Sequence, residues 1–210
     1  MNRQVILNLI LIGAVTALLV MNISGKKNKS NQGTTNTSEM VLKNIYTRTS
    51  VRSYEGREIE KDKVEQMLRA AMSAPTAMNK QPWAFIVVND RAVLNSLADS
   101  LPHAKMAAEA PVAIVVCGDL SKVLEGEAST YWIQDASAAT ENLLLAAHGL
   151  GLGAVWTGVY PNQRRVEAVK AILNLPENII PLNVIPVGYP KGPQAPKDKW
   201  NTDNIHYNKW

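Results

Sequence analysis

Apolar residues recur along the chain with two periods, and these periods predict a domain of mixed helices and strands. Residues 61–73 place apolar side chains at the i, i+3, i+4, i+7 and i+8 positions of an amphipathic helix. Short apolar runs bounded by turn residues indicate buried strands. Such runs lie at residues 84–88, 112–117, 154–159 and 182–188. Further helices are predicted near residues 40–45 and at residues 91–100, 104–109 and 163–173.

The longest predicted helix runs from Tyr131 to Gly149, and its pattern differs from that of the others. Between Ala136 and Ala147 it is apolar around much of its circumference. A helix of this kind is usually buried on more than one side. The chain that follows Tyr189 is rich in proline and glycine and has no core periodicity. We expect it to run over the surface of the domain or over a partner.

A separate apolar segment precedes this domain. Val5–Ile23 is a run of 19 residues without a charged side chain. A helix of that length spans roughly 28 Å, which is about the hydrocarbon core of a bilayer. We expect residues 1–24 to form a transmembrane anchor, with a cleaved signal segment as the alternative. Residues 25–38 are predicted to be a flexible polar tether, and residues 39–210 the folded domain.

Basic residues on both sides of the apolar segment predict its orientation. Lys26, Lys27 and Lys29 follow the segment, whereas Arg3 and the amino terminus precede it. Positive charge is favoured on the cytoplasmic side of a membrane. The pattern therefore predicts a membrane-anchored protein with a single N-terminal span and its folded domain on the cytoplasmic side.

The same basic residues explain the net charge of +4. Four of the 22 Lys and Arg residues lie in the first 38 positions, where there is no Asp or Glu. The other 18 basic residues balance the 18 acidic ones, so the domain has no excess of positive charge for binding nucleic acid.

Cysteine and histidine positions predict no metal site and no internal disulfide. Cys117 is the single cysteine, which excludes a disulfide within the chain and a cysteine-clustered metal or iron–sulfur centre. It lies in a predicted strand, where a packed structural thiol is expected rather than a nucleophile. His103, His148 and His206 do not have the spacing of metal ligands.

A short polar loop between a predicted helix and a predicted strand carries the strongest chemical signal. It runs from Ala74 to Trp83, and prolines at positions 75 and 82 fix its two ends. Its hydroxyl and amide side chains can hydrogen-bond a planar polar ring from a rigid backbone. These side chains are Thr76, Asn79 and Gln81. The alternative is a plain connector whose tryptophan packs in the core.

Two arginines and two hydroxyls lie close together in Arg48-Thr49-Ser50-Val51-Arg52. If this segment is extended, Arg48, Ser50 and Arg52 project to one side, because side chains alternate along a strand. Arginine and hydroxyl groups on one face can bind a phosphate or a carboxylate. A solvated surface strand with scattered arginines is the alternative.

A glycine-rich stretch from Gly149 to Gly158 does not have the order of a dinucleotide-binding fingerprint. That fingerprint follows a strand and opens a helix, whereas here a helix ends and a strand follows. The first glycines are interpreted as a helix C-terminal stop. Thr157-Gly158 ends the next strand, where glycine lets backbone groups approach a flat ligand.

Together, in this order and spacing, these three motifs resemble the nitroreductase family of FMN-dependent oxidoreductases. The resemblance covers about residues 44–210 and includes the Arg-x-Ser-x-Arg start, the Pro-Thr-x-x-Asn-x-Gln-Pro-Trp loop and the Trp156-Thr157-Gly158 strand end. It implies an α+β fold with a mostly antiparallel central sheet flanked by helices, in an intimate homodimer. In such a dimer the loop from Ala74 to Trp83 can reach the flavin bound by the partner.

The resemblance also implies which residues contact the cofactor. Arg48 and Ser50 resemble the ligands of the FMN phosphate and ribityl chain, and Arg52 resembles the cation beside the N1 and O2 edge of the ring. Thr157 and Gly158 resemble the strand end that faces N5 and O4. Lys197 and Lys199 lie in a segment that holds the phosphate, although many members have arginine at position 199. The full predicted set is Arg48, Thr49, Ser50, Arg52, Pro75, Thr76, Ala77, Asn79, Gln81, Thr157, Gly158, Lys197 and Lys199.

The activity implied by the resemblance is NADH- or NADPH-dependent reduction of an electron-poor organic acceptor, such as a nitroaromatic or a quinone. The implied mechanism is a ping-pong hydride transfer centred on the flavin, with no side-chain nucleophile. Two alternatives remain, since a shared fold does not fix the reaction. One is another reaction of the fold, such as dehalogenation, flavin fragmentation or dehydrogenation. The other is a membrane-tethered flavin-binding module without turnover.

Overall fold

A computed structural model describes residues 37–210, of which Tyr46–Trp210 form one compact unit. The helices are α1 (residues 37–47), α2 (Lys61–Met72), α3 (Arg91–Ser100), α4 (Trp132–Gly149) and α5 (Gln163–Leu173). The strands are β1 (Trp83–Val88), β2 (Val112–Asp119), β3 (Gly153–Ala154), β4 (Thr157–Gly158) and β5 (Ile179–Gly188). Short 3₁₀ turns lie at Ala77–Asn79, Lys105–Ala108, Gly126–Tyr131 and Thr202–Asn204.

The strands form one antiparallel sheet. Their order is β1-β2-β5-β3, and β4 also pairs with β5. All eight residues of β2 are buried, because it lies between β1 and β5 and both of its faces are covered. Helices flank the sheet, so the predicted α+β architecture with a mostly antiparallel sheet is confirmed.

The two faces of the sheet carry separate parts of the core. Ile114 and Val116 face the side on which α2 and α4 pack. Val115 and Cys117 face the side of α3 and α5. The Cys117 side chain is fully buried, and burial raises the pKa of its thiol to about 12. The predicted structural role of this cysteine is confirmed.

The predicted strand at residues 154–159 is two short strands instead of one. Both β3 and β4 pair with β5 in the same register, and extending that register places Val155 opposite Pro186. Proline has no N–H group, so it cannot donate to the ladder. The Pro186 carbonyl accepts a hydrogen bond from the Tyr54 hydroxyl at 3.0 Å. The pairing is therefore interrupted at this point, and the strand is divided into β3 and β4.

Helix α4 ends as the glycine pattern predicts. Gly151 has a φ of 76°, in the left-handed region that favours glycine. Its N–H donates to the His148 carbonyl at 3.0 Å, and the Leu152 N–H donates to the Ala147 carbonyl at 2.8 Å. This pair of bonds is a Schellman motif, which satisfies the last carbonyls of the helix.

The prediction of a membrane-anchored protein requires correction. Within residues 37–210 there is no helix that is both long enough and apolar enough to cross a bilayer. The predicted span at Val5–Ile23 lies outside the described residues. Neither the transmembrane anchor nor a membrane localisation is retained.

Candidate active site

The segment that contains the predicted phosphate-binding arginine docks along the edge of the sheet at β3. Ser50 forms a parallel bridge with Ala154, and the Val51 N–H donates to the Ala154 carbonyl at 3.0 Å. Val51 packs directly on Gly153, where an added Cβ would lie 2.6 Å from the Val51 Cβ. Position 153 therefore requires glycine for this close approach, and the docked segment depends on it.

Tyr54 anchors the far end of the same segment. Its hydroxyl donates to the Val51 carbonyl at 2.8 Å and to the Pro186 carbonyl at 3.0 Å. Burial raises the pKa of this phenol well above its ordinary value, despite an opposing effect from Arg52. Its ring packs on Gly188, where an added Cβ would lie 2.8 Å away. Two glycines thus allow the segment to pack closely on the sheet, Gly153 beneath Val51 and Gly188 beneath Tyr54.

Arg48 is held in place by α4. Its side chain is 19% exposed, and its Nε lies 3.4 Å from Oε1 of Glu141. No other hydrogen bond or ion pair of Arg48 occurs within residues 37–210, so its two terminal nitrogens remain available to a ligand. The neighbouring Thr47 hydroxyl lies 2.9 Å from Nε2 of His148. Burial, together with the Arg48 charge, lowers the pKa of His148 below its usual range.

Ser50 and Arg52 are the other two members of the predicted phosphate-binding face. Neither side chain forms a hydrogen bond or an ion pair with another described residue, and Arg52 is exposed. Two guanidinium groups and a hydroxyl, all with unused donors, thus belong to one segment fixed on the sheet edge. That donor set suits a phosphate, which takes several charge-assisted hydrogen bonds.

The loop from Ala74 to Trp83 has an unusual backbone. Met78, Asn79 and Gln81 have φ values of 49°, 54° and 50°, in the left-handed region. Side chains other than glycine adopt this region at a cost of about 1 kcal/mol or more each. Three such residues within four positions indicate a loop whose shape is retained for function. Met78 is also 81% exposed, although it is apolar.

Hydrogen bonds hold this loop in its strained form. The Gln81 N–H donates to the Thr76 hydroxyl at 3.1 Å, and the Gln81 side-chain amide donates to Oδ1 of Asn79 at 3.0 Å. The Ala77 N–H donates to Oδ1 of Asp135 at 2.9 Å, which ties the loop to the first turn of α4. The predicted ring-binding side chains Thr76, Asn79 and Gln81 are therefore brought together.

A cleft of about 370 Å³ lies between this loop and the start of α4. Its lining combines apolar side chains with a phenol, an amide and a carboxylate, as is typical of small-molecule sites. The lining residues are Pro75, Thr76, Ala77, Tyr131, Gln134, Asp135 and Ala138.

The end of β4 exposes backbone, although the Gly158 carbonyl accepts a hydrogen bond from Nη1 of Arg165 at 3.2 Å. The Thr157 hydroxyl donates to the Val184 carbonyl at 2.6 Å, so this side chain supports the strand. Gly158 is exposed, and an added Cβ there would meet no atom within 4 Å. Opposite Gly158 on β5 is Asn183, which is fully buried and donates to the Thr140 hydroxyl at 3.0 Å.

Lys197 and Lys199 lie in the exposed tail. Residues 191–210 are exposed throughout, and neither lysine forms an ion pair or a hydrogen bond with another described residue. The structure therefore fixes the segment of Arg48, Ser50 and Arg52 on the sheet, and among the described residues neither lysine contacts it.

Comparison with known proteins identifies the family. The profile named "Nitroreductase family" matches residues 45–189. The chain belongs to the nitroreductase family. A relative in Archaeoglobus fulgidus, named "Putative NADH dehydrogenase/NAD(P)H nitroreductase", is 47% identical over 177 residues, which are 82% of this chain and 99% of that protein. The match includes the motifs from which the family resemblance was inferred.

Solved structures of nitroreductase-family proteins share the fold. A protein of the same name from Bacteroides thetaiotaomicron has a TM-score of 0.77 and 50% identity, over 81% of this chain and 98% of that one. An FMN-dependent nitroreductase from Clostridium difficile has a TM-score of 0.74 and 28% identity, over 80% of this chain and 99% of that one. The family fold predicted from the sequence is confirmed.

Three residues of the site were not predicted from the sequence. Glu141 pairs with Arg48, Asp135 ties the loop to α4, and Gly153 accepts the docked segment. The two acidic residues carried a signal, because they are the acidic positions of a largely apolar helix. Gly153 had no separate signal in the sequence, because the end of a helix already explained the glycines around it.

Replacing Gly153 by alanine tests the docking. The added methyl group would overlap Val51, so we expect Gly153→Ala to lower the free energy of unfolding by about 1–3 kcal/mol. Gly56→Ala is the matched control, because an added Cβ there would meet no atom within 4 Å. Urea denaturation of both variants measures the difference. Equal stability of the two would contradict the close approach.

Proposed function

We propose that the protein is an NAD(P)H-dependent FMN oxidoreductase that reduces electron-poor organic acceptors of the nitroaromatic or quinone type. The observation that carries this proposal is the docked segment, in which Arg48, Ser50 and Arg52 keep unused donors beside β3. Relatives in the family support the cofactor and the donor, since they include an FMN reductase named for NAD(P)H and an NADPH nitroreductase. The protein is therefore an oxidoreductase.

The phosphate of FMN would be held by the docked segment. Arg48 is largely buried and oriented by Glu141, so little side-chain entropy is lost when it binds an anion. The Ser50 hydroxyl and the Arg52 guanidinium supply further donors from the same segment. Lys197 and Lys199 would add positive charge from the tail once it is placed against the site.

The flavin ring would lie between the end of β4 of one protomer and the loop of its partner. Gly158 presents backbone without a side chain, which suits a flat ring. Thr76, Asn79 and Gln81 provide hydroxyl and amide groups from a loop whose shape is already fixed. Because the loop already has that shape before binding, little conformational entropy of the loop is lost when the ring binds.

The chemistry that FMN supplies when bound is hydride acceptance from a nicotinamide and reduction of the acceptor. The protein's own residues bind the cofactor, orient it and exclude water from the cleft. Both substrates would use the same cleft in turn, which gives ping-pong kinetics. None of these roles requires a nucleophilic side chain.

A homodimer would complete the site. Members of the family are typically dimers that act on small molecules. The exposed tail carries Trp200, Tyr207 and Trp210, and the exposed Met78 lies at the tip of the strained loop. Large apolar side chains exposed in this way mark interaction surfaces. We infer that the tail packs on a second copy of the chain and that the loop contacts the FMN bound by that partner.

Steady-state kinetics test the activity. We expect the purified protein, loaded with FMN, to oxidise NADH or NADPH when a nitroaromatic or a quinone is present. Initial rates with both substrates varied should give parallel double-reciprocal lines, as a ping-pong cycle requires. Bound FMN without nicotinamide oxidation would contradict the enzymatic proposal, and failure to take up FMN would contradict the cofactor.

Arg48→Ala tests the phosphate site. Loss of a charge-assisted pair of about 2–3 kcal/mol should raise the FMN dissociation constant roughly 30- to 150-fold. Arg69→Ala is the control, because Arg69 is an exposed arginine paired with Glu65 on α2. Fluorescence titration with FMN measures both, after thermal melting has shown that the apo variants are folded. An FMN dissociation constant unchanged from that of the wild type would refute the role of Arg48.

The mass of the protein in solution tests the dimer. Light scattering coupled to gel filtration should give twice the chain mass of 23.0 kDa, with FMN absorbance in the same peak. A monomer that retains stoichiometric FMN would contradict the shared site.

A further inference from the structure

We propose that Asp135 makes the cleft selective for acceptors that present an uncharged N–H or O–H group and discriminates against acceptors that present a carboxylate. This inference rests on the proposed function, because it takes the cleft beside the loop to be the acceptor site. It adds a substrate class and names the residue that sets it.

Asp135 is a buried carboxylate with one oxygen in use. The residue is 6% exposed, and its Oδ1 accepts the Ala77 N–H at 2.9 Å. Its second carboxylate oxygen has no hydrogen-bond partner within residues 37–210. Since Asp135 lines the cleft, this oxygen would be the acceptor that it offers to a ligand. An unpaired carboxylate oxygen gains a charge-assisted hydrogen bond from a donor on the ligand and repels a second negative charge.

The charge of the cleft favours the same class of ligand. Asp135 is the one charged residue among the described residues that line the cleft. It also occupies the first turn of α4, an 18-residue helix, where the helix dipole would otherwise attract an anion. The carboxylate of Asp135 already takes that favourable position. A ligand carboxylate beside it would therefore meet repulsion between like charges.

The rest of the lining suits an aromatic ring with a polar substituent. Pro75, Ala77 and Ala138 provide apolar surface, and Tyr131 and Gln134 add a phenol and an amide. An aromatic carboxamide or a phenol combines a flat apolar body with the donor that Asp135 can accept. An aromatic carboxylate of the same size lacks that donor and adds a negative charge.

Paired ligands that differ in one group test this selectivity. In the kinetic test, kcat/KM of the FMN-loaded wild type is compared for 4-nitrobenzamide and 4-nitrobenzoate. In the binding test, calorimetry gives its dissociation constants for benzamide and benzoate. The second pair is not reduced, so it reports binding without chemistry. We expect the wild type to bind benzamide about tenfold more tightly than benzoate.

The decisive variant is Asp135→Asn. Its side-chain oxygen can still accept the Ala77 N–H, while the second position changes from a charged acceptor to an amide donor. Both the binding ratio and the kcat/KM ratio should shift about tenfold towards the carboxylate. Glu127→Gln is the control, since Glu127 is an exposed acidic residue of the turn before α4 and does not line the cleft.

Each outcome decides one of the two claims. Ratios that are the same in the wild type and in Asp135→Asn would overturn the selectivity, as would a change confined to the KM of the nicotinamide. If neither nitro compound supports nicotinamide oxidation, the proposed function fails for these acceptors. The benzamide and benzoate titrations would still support or overturn the selectivity of the cleft.

Discussion

The close packing of residues 48–54 on Gly153 of β3 and Gly188 of β5 is the contact on which the rest of the site depends. Val51 lies against Gly153 and Tyr54 against Gly188, at distances that leave no room for a Cβ atom on either glycine. Because the segment lies this close, the Val51 N–H reaches the Ala154 carbonyl and the Tyr54 hydroxyl reaches the Pro186 carbonyl. The position of Arg48 on the sheet edge follows from this docking.

Helix α4 is the second support, and it fixes both the loop and the docked segment. Its first turn carries Asp135, which fixes the strained loop, and its middle carries Glu141, which orients Arg48. Thr140, between them in sequence, accepts a hydrogen bond from the buried Asn183 on β5. A single rigid helix thus relates the loop, the arginine and the strand that pairs with Gly158. Sites supported by regular elements hold their geometry more closely than sites built on loops alone.

Much of the fold could be predicted because its central strands β2 and β5 are buried on both faces, and such strands appear in the sequence as continuous apolar runs. The edge strand β1 is only partly buried, but it is apolar throughout and contains the run predicted at residues 84–88. The prediction at residues 154–159 was wrong because the interruption comes from Pro186, a residue of the partner strand. The sequence of one strand does not show which residue of the neighbouring strand lies opposite it.

The site was predictable to the extent that its chemistry is local in sequence. The Arg48 to Arg52 segment and the loop from Ala74 to Trp83 carry their polar groups within a few residues of one another. The left-handed backbone of Met78, Asn79 and Gln81 was not predictable, since it is imposed by contacts that include Asp135, more than fifty positions away. The pairing of Glu141 with Arg48 likewise depends on tertiary structure.

FMN-dependent reduction is tested most directly by an anaerobic titration of the FMN-loaded protein with NADH or NADPH, followed through the visible flavin absorption. We expect one of the nicotinamides to bleach the flavin band when no acceptor is present. Later addition of a nitroaromatic or a quinone should restore the band in a separate step. A flavin band that neither nicotinamide bleaches, or a protein that does not take up FMN, would contradict this function.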